Sequence, residues 1–209
     1  MRRAPALWLL FPCVITLVAA GCADDQDPVA ASNEEAASDS ESADTDDELT
    51  ARLVDPEGTE VGTVRFTDED DGVEVSVEVD GLPPGFHGFH VHAVGVCEPD
   101  SASPANPTMT GDFLSAGGHL GGGEADHGAH AGDLPVLFVD GSGAGSLTTV
   151  TDALTRADLT DDDGSAVMVH ADRDNFANVP ERYAPGGPDE MTRNTGDAGG
   201  RIACGTVEG

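Results

Sequence analysis

From Leu49 onward, apolar and polar residues alternate in short runs bounded by Gly, Asp and Pro. The run from Val73 to Val79 alternates Val with Glu or Ser without a break, the two-residue period of a strand that buries one face. Thr50 to Val54, Thr59 to Phe66, Gly88 to Val94, Pro135 to Val139, Gly145 to Thr151 and Ala166 to His170 are the other predicted strands. Short strands with turn residues between them predict an all-β sandwich or barrel. Arg156-Ala157-Asp158-Leu159 is the one short helical stretch. Two long segments, Cys97 to Asp133 and Ala171 to Arg201, are rich in Gly, Pro and Asp and do not read as strands. Loops of that length inside a compact domain are usually functional or disordered.

The pattern before Leu49 is different. Arg2 and Arg3 precede an apolar run from Leu7 to Ala20 and then Gly21-Cys22, which reads residues 1–21 as an export signal. Its ending resembles a bacterial lipoprotein signal, in which Cys22 is lipidated and becomes the mature N-terminus; plain secretion is the alternative. Residues 22–48 are almost all Asp, Glu, Ser and Ala, too polar to offset the entropy of ordering, and read as an extended acidic tether. The folded domain is expected at 49–209, on the extracytoplasmic side of the cell membrane and attached to it only through the lipid.

The formal net charge is -31, and all nine basic residues are Arg. That balance argues against nucleic acid, or an anionic membrane held by a basic patch, as partner. Of four cysteines, Cys13 lies in the signal and Cys22 at its end, leaving Cys97 and Cys204. In an exported domain a disulfide is the default for such a pair, with two free thiols as the alternative.

The chemistry lies in the histidines. Gly85-Phe86-His87-Gly88-Phe89-His90-Val91-His92 holds three of the chain's seven. On a strand, His90 and His92 share a face, while His87 has the opposite parity. His119, His127 and His130 lie in the first long segment, and His170 ends the run Ala166-Val167-Met168-Val169. Imidazoles suit copper and zinc, and an Asp oxygen can complete a zinc site.

Taken with Ser115-Ala116-Gly117-Gly118-His119, His130-Ala131-Gly132-Asp133-Leu134 and Gly196-Asp197-Ala198-Gly199-Gly200-Arg201-Ile202-Ala203-Cys204-Gly205, the histidine segment resembles copper/zinc superoxide dismutase, in its exported bacterial branch. The resemblance implies an eight-stranded Greek-key β-barrel with two long functional loops, acting on superoxide. It implies copper ligation by His90, His92, His119 and His170, and zinc ligation by His119, His127, His130 and Asp133. Asp174 matches an Asp that links histidines of the two metals, His87 a structural histidine, Cys97 and Cys204 the family disulfide, and Arg201 the guide for the anionic substrate. His119 bridges the metals and carries a proton in the reaction.

Two departures stand out. The segment between His119 and His130 is shorter than usual in the family, so His127 either reaches zinc by a different loop path, the reading adopted, or is a free polar residue. The family's guiding lysines are absent, and Arg173, Arg182 and Arg193 are the candidates to replace them. The alternative function is a copper-binding or copper-transfer module on the same fold.

Overall fold

A computed structural model describes residues 48–209. The export signal, Cys22 and the acidic tether as far as residue 47 lie outside the described residues. β1 (Glu48–Val54), β2 (Glu60–Glu69) and β3 (Gly72–Val79) are the longest early strands, followed by β4 (Gly85–His87) and β5 (Phe89–His92). A two-residue hairpin, β6 (Ser101–Ala102) and β7 (Thr110–Gly111), stands in the first long loop. Then come β8 (Leu137–Val139), β9 (Gly145–Thr151), helix α1 (Arg156–Leu159), β10 (Ala166–His170), helix α2 (Glu190–Thr195) and β11 (Arg201–Glu208).

Nine strands form one antiparallel sheet in the order β4-β8-β9-β3-β2-β1-β11-β10-β5. β4 and β5 stand at its two ends yet are consecutive in the chain, so the sheet rolls into a barrel that closes through Gly88. The predicted strand from Gly88 to Val94 is therefore corrected: the segment 85–92 pairs with β8 before Gly88 and with β10 after it. Counted as one strand, it gives the expected eight. Gly88 is needed there because a Cβ would stand 2.6 Å from the Ala198 side chain and 3.1 Å from the His90 ring.

Alternation sorts the faces. Leu49, Ala51 and Leu53 of β1, Phe66 of β2, Val73, Val75, Val77 and Val79 of β3, Phe89 and Val91 of β5, and Val167 and Val169 of β10 fill one core. Each such side chain contributes about 1.5–3 kcal/mol on full burial. β10 is buried on its outer face as well, where Ala166 and Met168 pack with Phe113, Ala116 and Cys204. Loop residues thus cover the barrel wall beside the site.

Besides the two-residue strands β6 and β7, which stand in a segment expected to hold none, two longer elements escaped the pattern. β11 lies between β1 and β10, and its successive residues Ala203, Cys204 and Gly205 are all buried, which erases the alternation that marks a strand. α2 is six residues long, too short for a helical period, and it stands on local signals: the Asp189 side chain accepts from the Thr192 N–H, and Gly196 ends it in the left-handed conformation. Among the described residues no helix is long and apolar enough to cross a membrane.

Cys97 and Cys204 form a disulfide that ties the first long loop to β11, across 107 residues of sequence. Replacing both with Ser is expected to lower unfolding stability by roughly 4–5 kcal/mol on the chain-entropy account. Chemical denaturation of oxidised wild type against the variant checks this; equal midpoints would contradict it.

Candidate metal centre

Because Phe89 and Val91 enter the core, His90 and His92 face outward from the barrel wall. On one side β5 pairs with β10, opposing His90 to Met168 and His92 to Ala166. On its other side the first long loop pairs with it instead: the Val91 N–H donates to the Gly132 carbonyl and the Leu120 N–H to the Val91 carbonyl, each at 2.9 Å. Those bonds align His92 with His119 and His90 with Asp133. His170 arrives from β10, where a register shift after Val169 sets it opposite Arg201. Backbone pairing alone therefore gathers five of the predicted residues.

The imidazoles are turned by their second nitrogens. His90 Nε2–H donates to Asp174 Oδ2 at 2.7 Å and His127 Nε2–H to Asp174 Oδ1 at 2.8 Å. His92 Nδ1–H donates to the Gly117 carbonyl, His170 Nδ1–H to that of Gly199, and His130 Nε2–H to that of Ala125. What remains is His90 Nδ1, His92 Nε2 and His170 Nε2, buried and without a hydrogen-bond partner, together with His127 Nδ1 and His130 Nδ1, which stand 3.0 Å and 3.3 Å from the Asp133 carboxylate oxygens. A buried acceptor left unpaired is costly, so three in one place point to a missing electrophile. His87 differs: both of its nitrogens face carbonyl oxygens, of His170 at 2.7 Å and Pro83 at 2.8 Å, and neither is free for a metal.

Ligand atoms of His90, His92, His119 and His170 all lie within 4.8 Å of one another, as do those of His90, His119, His127 and Asp133. Four imidazoles suit copper, and imidazoles with a carboxylate suit zinc, so the donor sets fit the two metals. His90 and His119 belong to both sets, and His119 Nδ1 is 2.9 Å from Asp133 Oδ1. His130 Nδ1 stands 3.3 Å from Asp133 Oδ2, on the side of the second set.

Charge divides the two sets. Burial lowers His90, His92, His119 and His170, with Arg201 and the neighbouring rings adding to the effect at His92 and His170; His119 falls to about 4. These rings are neutral at neutral pH, each with a lone pair to offer. For His127, burial opposes the charge, but hydrogen bonds to Asp133 and Asp174 and their negative charge outweigh it and push the ring up to about 9. Burial likewise opposes ionisation of Asp133 and Asp174, yet the histidines bonded to them hold both well below the usual carboxylate range.

His92, His119, His170 and Arg201 line an open cavity of about 570 Å³ between the two long loops. The Arg201 guanidinium donates to the carbonyls of Phe113 and Gly117. Burial lowers its pKa to about 10, which leaves it cationic at neutral pH. It is the only basic residue on that wall, where the carboxylate of Asp197 also stands. The arginines considered as substitutes for lysine are elsewhere: Arg173 stacks on Phe86, Arg182 on Tyr183, and Arg193 donates to the Pro188 carbonyl. Asp197 and the carbonyls that hold Arg201 were not legible in the sequence, since neither an isolated loop carboxylate nor a peptide oxygen carries a pattern.

Fold and site together define a β-barrel protein with adjacent copper-type and zinc-type donor sets beside an anion-attracting cavity. The sequence model of the copper/zinc superoxide dismutase (SODC) family matches residues 60–207, and the chain belongs to that family. It is 46% identical over 167 residues to a copper-zinc superoxide dismutase of Mycolicibacterium paratuberculosis, covering 76% of this chain and 73% of the relative. The copper-zinc superoxide dismutase of Escherichia coli is 36% identical over 157 residues, covering 72% and 80%. The solved copper/zinc superoxide dismutase of Brucella abortus superposes with a TM-score of 0.61 at 31% identity, over 77% of this chain and 99% of that one.

Proposed function

We propose that the protein is a superoxide dismutase, turning two superoxide anions and two protons into dioxygen and hydrogen peroxide. His90, His92, His119 and His170 hold copper, and His119, His127, His130 and Asp133 hold zinc. The observation that carries this reading is the convergence of buried, unpartnered ring nitrogens on a cavity whose wall also bears Arg201. Bound copper supplies the one-electron exchange, while zinc, which has no redox chemistry, organises its ligands.

The chain's own residues supply the rest. Arg201 attracts superoxide into the cavity and orients it with a rigid fork of donors. His119 has Nδ1 turned to Asp133, leaving Nε2 to take up a proton and return it to the superoxide that leaves as peroxide. A copper carrier on the same fold would need no anion guide. Dismutation assayed on copper-loaded protein decides: full copper occupancy without activity would leave the carrier reading.

Zinc ligation by His127 has a thermodynamic signature. In the metal-free protein His127 holds a proton that zinc must displace, so apparent zinc affinity is expected to rise about tenfold per pH unit from neutral pH and level off near pH 9. Calorimetry in buffers of different ionisation heat should find about one proton released from His127 per zinc. A zinc affinity that does not change with pH would remove His127 from the ligands.

The protein is read as exported and anchored by lipid at Cys22, with residues 22–48 as tether, except that Glu48 already pairs with Thr67 in β1 and leaves 22–47 for that role. At physiological ionic strength the Debye length is about 8 Å, so the tether's charge is screened from Arg201. Deleting residues 23–47 is expected to change kcat/KM less than about twofold under those conditions. A several-fold rise in stopped-flow dismutation assays would contradict it.

A further inference from the structure

Three methionines fall among the described residues, and two of them stand on the wall of the copper-side cavity. Met109 comes from the first long loop, just before β7, and Met191 from the first turn of α2 in the second. The third, Met168, is fully buried on β10. Met109 is 51% exposed and Met191 62%. The same wall carries His92 and His170, whose Nε2 atoms are buried without a partner. Two exposed thioethers and two imidazoles with open Nε2 atoms thus line the same cavity.

A wall that only had to be apolar could use Leu or Ile. A thioether adds one property, a soft sulfur donor that selects Cu(I) over Cu(II) and zinc. It is also uncharged, so it neither repels nor traps an incoming anion, and it cannot be lost to disulfide exchange as a thiol can. We propose that Met109 and Met191 form an entry site for cuprous ion, which passes from the two sulfurs to His92 and His170. The proposal rests on the copper role given to those histidines. The transfer exchanges thioether for imidazole donors with no change of oxidation state.

The test uses the metal-free full chain and its M109L/M191L variant, whose substitutions are exposed and keep the wall apolar. Cu(I) is offered as its coloured bicinchoninate complex and, in parallel, Cu(II) as the aqueous ion. Cu(I) transfer is expected to be about tenfold slower in the variant, with Cu(II) uptake and final copper content unchanged. X-ray absorption on Ag(I), a redox-inert substitute, should find sulfur neighbours in the wild type that the variant lacks. Equal Cu(I) rates, or equal slowing of both oxidation states, would overturn the entry site while leaving the copper assignment intact. Failure of the wild type to take up copper in either state would overturn the assignment and the entry site together.

Discussion

Replacing Asp174 with alanine is expected to weaken both metal positions at once, by about 10- to 100-fold in affinity. One carboxylate orients two rings: Oδ2 accepts from His90 on the copper side and Oδ1 from His127 on the zinc side. Without it, nothing fixes which nitrogen of either ring carries the hydrogen, and neither Nδ1 is held toward its set. The loss also removes an anion that keeps the His127 ring charged in the metal-free protein, so the pH at which zinc affinity levels off should move below about 9. Metal competition against chelators, with copper and zinc titrated separately, measures both effects; a variant that loses zinc affinity alone would show that Asp174 serves only His127. Gly196 gives an independent approach, because a Cβ there would run into Asp174 Oδ1 and His127 Nε2, and its φ of 59° already disfavours a side chain. Gly196→Ala should therefore reproduce part of the defect with every ligand retained.

Arg201→Ala is expected to lower kcat/KM for superoxide by about a hundredfold, the scale of losing one donor aimed at developing or substrate charge. Arg201 is the sole cation on the cavity wall, so no neighbouring charge compensates. Its hydrogen bonds to the carbonyls of Phe113 and Gly117 make it a brace for the first long loop as well. Arg201→Lys separates the roles: the charge stays, the fork does not, and the loss should be much smaller than for Ala. Equal activity of the Ala variant and wild type at matched copper content would refute the guiding role.

Strand residues were the most legible part of this protein. His90 and His92 were assigned to one outward face from parity alone, because Phe89 and Val91 between them have a core to enter. His119, Asp133 and His170 could be named from motifs, but their meeting depends on backbone bonds between a loop and a strand edge and on a register shift, which leave no trace in residue order. The shortened stretch before His130 left the place of His127 open in the sequence. It is brought in by its own N–H donating to the Arg193 carbonyl at 2.7 Å, a contact with the other long loop that no local pattern could announce. β11 escaped for the opposite reason: Ala203, Cys204 and Gly205 are buried in succession between β1 and β10, and alternation vanishes where both faces are covered.

β5 would otherwise end the sheet with a bare row of amides and carbonyls, the kind of edge onto which a foreign strand can add. The segment from His119 to Leu134 occupies that edge, through bonds at Val91 and Phe89. Holding the metals and refusing edge-to-edge association therefore fall to the same stretch of chain. Anything that pulls this loop away, whether depletion of its ligands or a bulky residue in place of Gly132, uncovers Phe89-His90-Val91-His92 as a template for aggregation. Metal starvation then threatens solubility as directly as it threatens catalysis.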